Sequence, residues 1–293
     1  MARNGGPLVV CVINLKGGVG KSTISVLLAR YAYTVLRRDV LAIDLDPQAN
    51  MSQAFMLGGY SKFIKQKRPS IVEIFKGYIP PSVNSKGAMP LTGQSGVETL
   101  QTMGANSLQL IPSRFDFSDN LLGSIHTDER ALAKFLSGSF DHKDLIIIDC
   151  SPTESIITRA AYHASGLVLI PVKPEFFATI GFPLLRQSLE SFRQANQGHQ
   201  IDVAGIVINN PFYDGGNDGG PEKREAMKDI AKEAFENSWR IFENEIPFSR
   251  GFPKKMRGDY SYSGNSDLFW TFAKEFFDTL GLQRAALTRP IIK

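Results

Sequence analysis

A chain of 293 residues, 43% hydrophobic and 21% charged, has the apolar content for one large α/β domain or two smaller ones. Its 33 basic and 29 acidic residues leave a net charge of +4, too mild to specify a nucleic-acid partner by itself. Its two cysteines, Cys11 and Cys150, lie inside apolar runs, which excludes a disulfide framework and suits a reducing cytosol, and no apolar run reaches bilayer-spanning length.

The opening MARNGGPLVV carries one arginine and runs straight into an apolar stretch, Leu8 to Ile13, so it reads as a strand and not as a signal peptide. Lys16-Gly17-Gly18-Val19-Gly20-Lys21-Ser22-Thr23 follows at once. Ile24, Leu27, Leu28, Tyr31 and Val35 then recur at helical spacing. A buried strand, a glycine turn and a helix is the context of a phosphate-binding loop, although Leu15 stands where the usual pattern has its first glycine. The glycines let backbone N–H groups approach an anion, and the helix N-terminus adds its positive dipole end. Lys21 is placed to reach the β- and γ-phosphates of a nucleoside triphosphate, and the Ser22 hydroxyl to hold Mg²⁺.

Arg37 and Arg38 close the first helix, and Val40–Ile43 reads as a second buried strand. It ends in Asp44-Leu45-Asp46-Pro47-Gln48-Ala49-Asn50, two carboxylates at a strand end where α/β sheets bind ligands. Lys62, Lys65, Lys67 and Arg68 form a basic run that reads as a solvated face. Ser70 and Glu73 have the spacing of a capping box, which predicts a short helix over 70–76. The Pro-, Gly- and Ser-rich stretch 80–104 reads as an extended surface loop.

Ser107–Pro112 is a third strand, and a helix is expected near 128–136. Asp144–Pro152 is a continuous apolar run delivering Asp149 to the ligand edge of a parallel sheet. Further strands are expected at 166–172, 203–210 and 241–246, with helices over 180–196, 222–237 and 266–280. The glycine-rich 214–220 reads as a linker, because no strand leads into it. Arg250, Lys254, Lys255 and Arg257 form a local basic patch, read either as a DNA contact or as a solvated loop. The aromatic stripe of the last helix reads as core.

The doubled lysine, Lys16 with Lys21 around Gly17-Gly18-Val19-Gly20, resembles the deviant Walker A motif of the ParA/MinD family of ATPases. Asp44 to Asn50 resembles that family's switch I, with Ala49 where many relatives have glycine, and Asp149 matches its Walker B acid. Pro171, Glu175 and Gly181 resemble its PxxPExxxxxG stretch. The similarity covers residues 7–58, 107–182 and 200–257, and marks about 79–106 as a loop insertion.

The resemblance implies that Lys16 crosses to the phosphates of a second subunit and that Asp46 positions the attacking water. It implies that Asp44 and Asp149 support Mg²⁺, and that Asn209 or Asn210, with the Pro247 carbonyl, lies near the adenine; a strand-end turn is an equal reading of the asparagines. The expected whole is a single P-loop ATPase domain over 1–293, a doubly wound mostly parallel α/β sheet of about seven strands. Its expected activity is that of an ATP-dependent homodimer with weak Mg²⁺-dependent ATPase activity, cytoplasmic and nucleoid-associated. It would bind DNA non-specifically and segregate plasmid or chromosomal DNA with a ParB-like centromere-binding partner. The rival MinD-like membrane reading needs an amphipathic tail, and the tail 284–293 is interrupted by Pro290. An iron–sulfur relative would need cluster cysteines, and a change of cargo to a protein assembly stays open.

Overall fold

The computed structural model describes residues 6–77, 96–115, 128–175, 181–209, 220–249, 251–258 and 268–283. Seven strands form one sheet: β1 (Leu8–Val12), β2 (Val40–Asp44), β3 (Glu98–Met103), β4 (Asn106–Ile111), β5 (Leu145–Asp149), β6 (Leu167–Val172) and β7 (Asp202–Ile208). Their order is β3-β4-β2-β5-β1-β6-β7, and all pairs are parallel except β3 with β4. Ten helices lie among the described residues. They are α1 (Lys21–Thr34), α2 (Asn50–Met56), α3 (Gly59–Lys65), α4 (Ile71–Gly77), α5 (Ala131–Ser139), α6 (Ile156–Ala164), α7 (Gly181–Ala195), α8 (Gly220–Glu236), α9 (Phe252–Met256) and α10 (Leu268–Thr279).

Alternate residues of each central strand enter opposite cores, which is why these strands read as unbroken apolar runs. Cys11, Ile13, Leu41, Ile43, Ile146 and Ile148 pack on one face with α4 to α8. Val10, Val12, Val40, Ala42, Leu145 and Ile147 pack on the other with α1, α2 and α10. The stripe on α10 is core as expected: Phe269, Phe272, Phe276 and Phe277 are fully buried, and Phe277 stacks on Tyr31 at 5.9 Å. Each such side chain contributes about 1.5–3 kcal/mol. Cys11 and Cys150 are buried free thiols.

The capping box forms as the spacing predicts. The Ser70 N–H donates to Glu73 Oε2 at 2.7 Å, and Val72 N–H donates to Ser70 Oγ at 3.2 Å. Two expectations are corrected. Residues 98–103 are not loop but an antiparallel edge strand, bulged between Thr99 and Gln101; 78–95 lie outside the described residues. Residues 241–246 form no strand, only two single bridges, Ile241 to Ile206 and Ile246 to Asn209. The linker 214–220 and the tail 284–293 fall outside the described residues, apart from Gly220, which opens α8.

The topology fixes the site. β1 lies between β5 and β6, and the chain leaves it first toward β2 and later toward β6 and β7, so the direction of winding reverses there.

Candidate nucleotide site

The C-terminal ends of β1, β2 and β5 lie level, with Val12 opposite Asp149 and Asp149 opposite Asp44. That register brings Asp44, Asp149 and the glycine loop after β1 to one edge. Gly18 (φ 72) and Gly20 (φ 92) take left-handed backbone conformations, and the helix starts at Lys21. No acid occupies the first turn of α1, so its positive end faces the loop uncompensated by its own sequence. Lys21 is buried, and its Nζ donates to the Lys16 carbonyl at 3.0 Å. Burial lowers its pKa, and the nearby Asp149 and Asp46 oppose that shift.

Three polar side chains absent from the sequence reading hold the loop and its acids. Asn14, buried at the end of β1, accepts the Lys16 N–H at 2.8 Å and donates to the Pro171 carbonyl at 2.8 Å, tying the loop to β6. Ser52 donates both its N–H (2.8 Å) and its hydroxyl (2.7 Å) to Asp44 Oδ2. Ser25 donates to Asp149 Oδ1 at 3.4 Å. A polar residue repeated inside an otherwise apolar strand end or helix face was the available signal.

Asp44 is fully buried, and burial pushes its pKa up to about 7 against the Ser52 hydrogen bonds. Burial and then the charge of Asp44 hold Asp149 well above the usual carboxylate range, eased by the Ser22 hydroxyl. Asp149 Oδ2 is buried with no hydrogen-bond partner. Asp46 is raised by burial and stabilised by the Gln48 N–H at 2.9 Å and by Lys21. Crowded, dehydrated carboxylates beside an orphaned oxygen fit a divalent cation. Among the described residues no cluster of three acids, histidines or cysteines could hold one alone. Mg²⁺, which keeps much of its water and takes phosphate oxygens, suits such a set, and Ser22 and Asp149 are the residues that would hold it.

A cleft of about 560 Å³ opens over these groups, lined by Gly17, Gly18, Gly20, Lys21, Ser22, Thr23 and Asp46, with Gln48, Asn50, Pro152 and Met256. A further space of about 320 Å³ shares Gly18, Gly20, Thr23 and Met256 with it and extends to Lys173, Asn209, Phe248 and Ser249. The glycine loop and Lys21 line the first space, and Asn209 with Phe248 lines the second. A larger cleft of about 720 Å³ lies at the opposite edge of the sheet, beside Val9, His163 and His199, away from the glycine loop.

The remaining predicted residues divide. Lys16 does not line the cleft; its Nζ pairs with Glu175 Oε2 at 3.2 Å. The Val19 carbonyl is held by Asn209 Nδ2 at 2.9 Å, so Asn209 braces the loop while also lining the outer space. Asn210 and Arg250 lie outside the described residues. Pro247 stands one residue outside the wall, which Phe248 and Ser249 form. Lys255 is a correction: it is buried, with Nζ 5.0 Å over the Trp270 ring, because the second lysine of a short helix faces inward. Lys254 and Arg257 are exposed. Ala49 has φ 54, a left-handed conformation that a glycine adopts without steric cost.

The family model described as AAA domain matches residues 8–202. The chain belongs to this family, as a ParA-like P-loop ATPase. It is 29% identical over 198 residues to the chromosome-partitioning ATPase Soj of Treponema pallidum, covering 67% of this chain and 68% of that protein. It is 29% identical over 202 residues to the chromosome partitioning protein ParA of Myxococcus xanthus, covering 68% and 64%. Among solved structures, a Cyanothece McdA variant in complex with ATP superposes with a TM-score of 0.75 at 20% identity, covering 96% of this chain and 99% of that one. A plasmid partition protein from Borrelia burgdorferi gives 0.63 at 21% identity, covering 94% and 99%. At these identities the structural likeness speaks for the fold of this ParA-like ATPase.

Proposed function

We propose that this ParA-like ATPase is an ATP-gated dimer that binds DNA without sequence preference and segregates plasmid or chromosomal DNA. Its nucleotide is ATP with Mg²⁺, which supplies charge neutralisation for the transferred phosphoryl group. Lys21 and the loop N–H groups hold the phosphates, and Asp149 with Ser22 holds the cation. Asp46 lines the phosphate cleft and orients water there. A ParB-like centromere-binding partner stimulates turnover and releases the dimer from the nucleoid in the cytoplasm.

The observation that carries this reading is the division of labour between the two lysines. Lys21 points into the cleft, whereas Lys16 turns out of it toward Glu175 at the protein surface. A lysine beside the phosphates but outside its own cleft is placed to serve a facing subunit. Lys16→Ala is therefore expected to keep nucleotide binding and lose ATP-dependent dimerisation, read by light scattering. A variant that dimerises normally with ATP would sink the proposal. Asp46→Ala is expected to keep both binding and dimer while turnover falls by on the order of 10²-fold or more, as when one preorganised group is removed from a transition state.

A further inference from the structure

The helix α2 starts without a cap of its own. Its N-cap position is Ala49, which has no side-chain acceptor for the free N–H groups of the first turn. Asp44, at the end of the neighbouring strand β2, supplies one instead. Its Oδ2 accepts the Ser52 N–H at 2.8 Å and the Ser52 hydroxyl at 2.7 Å. Its Oδ1 accepts the Asp46 N–H at 3.1 Å. One carboxylate therefore grips both ends of the stretch Asp46–Ser52. Within that stretch the chain turns tightly. The Asp46 carbonyl accepts the Ala49 N–H at 2.8 Å, and Asp46 Oδ1 accepts the Gln48 N–H at 2.9 Å.

The grip reaches a second strand. Ser113, just past β4, donates its N–H to Ser52 Oγ at 2.9 Å, and the Tyr60 hydroxyl of α3 donates to the Ser113 carbonyl at 3.2 Å. Ser52 Oγ thus donates and accepts at once, which a hydroxyl can do and an apolar side chain cannot. Asp44, Ser52 and Ser113 are fully buried, so water does not readily replace a lost partner. The stretch they hold lines the phosphate cleft with Asp46, Gln48 and Asn50.

Asp44 and Asp149 lie opposite each other, yet they differ in what they have left to offer. Donors fill three of the roughly four acceptor positions of Asp44, whereas Asp149 Oδ2 has no hydrogen-bond partner among the described residues. We infer that Asp44 and Ser52 are positioning residues of the ATPase reaction: they clasp the loop that sets Asp46 at the phosphate cleft, and the cation is left to Asp149 and Ser22. This rests on the role proposed above for Asp46 in orienting water. A misplacement of about 1 Å at a reacting centre costs on the order of 10²-fold in rate, so loosening either end of the loop slows turnover without weakening nucleotide binding.

The test compares Ser52→Ala and Asp44→Asn, which sets an amide N–H among donors at nearly unchanged volume. Ser165→Ala is the control, because it removes an equally buried hydroxyl that has no hydrogen-bond partner and lies before β6, at the other edge of the sheet. Four quantities are measured: kcat, KM for ATP, the Mg²⁺ concentration that half-saturates binding of a fluorescent ATP analogue, and hydrogen exchange of the nucleotide-free protein. Both clasp variants are expected to lower kcat about tenfold or more, with KM and the Mg²⁺ midpoint within about twofold of wild type. Exchange should quicken over residues 44–53 and stay as in wild type elsewhere, which also shows that the variants fold. Asp149→Asn, by contrast, should raise the Mg²⁺ midpoint about tenfold or more. In an Asp46→Ala background, Ser52→Ala should slow turnover no further, because it acts through Asp46. A further loss of about tenfold in that background overturns the assignment and leaves the role of Asp46 standing. So does a wild-type kcat in Ser52→Ala, or a Mg²⁺ midpoint that shifts as far in Asp44→Asn as in Asp149→Asn. If Asp46→Ala alone turns over as fast as wild type, the proposed role of Asp46 fails and this assignment with it.

Discussion

Asp44 and Asp149 stand opposite each other in register at the ends of β2 and β5, both carboxylates fully buried. Adjacent parallel strands thus hold two acids where neither has water to shield it, and only Asp44 is well supplied with donors. Without a cation the pair is a local cost, and a divalent cation bound at the partnerless Asp149 oxygen would relieve it.

The nucleotide-free protein is therefore expected to be less stable at pH 8 than at pH 6. The folded-state pKa of Asp44, about 7, lies above its unfolded value. Its contribution is fully present below the unfolded pKa and is lost as pH rises through the folded one. Asp44→Asn should flatten that slope, and Mg²⁺ with nucleotide should raise the melting temperature of the wild type more at pH 8 than at pH 6. Thermal denaturation at the two pH values checks both. An Asp44→Asn protein with the same pH slope as the wild type would show that other groups set it.

Gly20→Ala is expected to weaken ATP binding by tenfold or more, about 1.4 kcal/mol. A Cβ there would lie 2.2 Å from Asn209 Nδ2, on a backbone with φ 92. The amide that braces Val19 would be displaced and the loop with it. Combining Gly20→Ala with Asn209→Ala should recover part of the loss, a coupling of about 0.5–3 kcal/mol in a nucleotide titration. Strict additivity would mean that the backbone strain alone accounts for the defect.

At the other edge of the sheet, Asp39 Oδ1 accepts from Lys143 Nζ, Ser107 N–H and Ser107 Oγ, each at 2.8 Å. Burial would raise the Asp39 pKa, but the Lys143 and Ser107 hydrogen bonds outweigh it and the net shift is downward. Such a depressed carboxylate stabilises the fold above its unfolded pKa and loses that contribution as pH falls through the folded value. Asp39→Ala leaves the buried Lys143 without this carboxylate and should cost about 3–5 kcal/mol. Asp39→Ala with Lys143→Met should regain much of it by denaturant titration. Equal stability of the single and double variants would contradict the pairing.

The parallel core and the glycine loop were legible because their signals are local. An apolar run ending in Asp149, or glycines before Lys21, needs no distant partner to be recognised. What was hidden depended on tertiary placement. β3 is polar and half-exposed, and only its pairing to β4 makes it a strand. Lys255 looks like Lys254 in sequence, and only the position of Trp270 decides which is buried. Ser52 and Asn14 carry no motif, and their role appears once the strand ends are brought level.

The last prediction concerns Lys16. Its pairing with Glu175 joins two partly exposed side chains, 29% and 40% accessible, so it holds Lys16 only weakly. Exposed pairs contribute roughly 0.2–1 kcal/mol. On the proposed dimer, that pairing must open before Lys16 can reach a facing phosphate. Glu175→Gln removes the competitor and keeps the shape, so ATP should drive dimerisation at a protein concentration about two- to fivefold lower, the range that about 0.4–1 kcal/mol corresponds to. Raising salt should narrow the difference between the two proteins, because the pair is screened in the wild type and absent in the variant. Sedimentation across a concentration series reads the shift. Weaker dimerisation in Glu175→Gln would instead place Glu175 among the contacts that hold the dimer together.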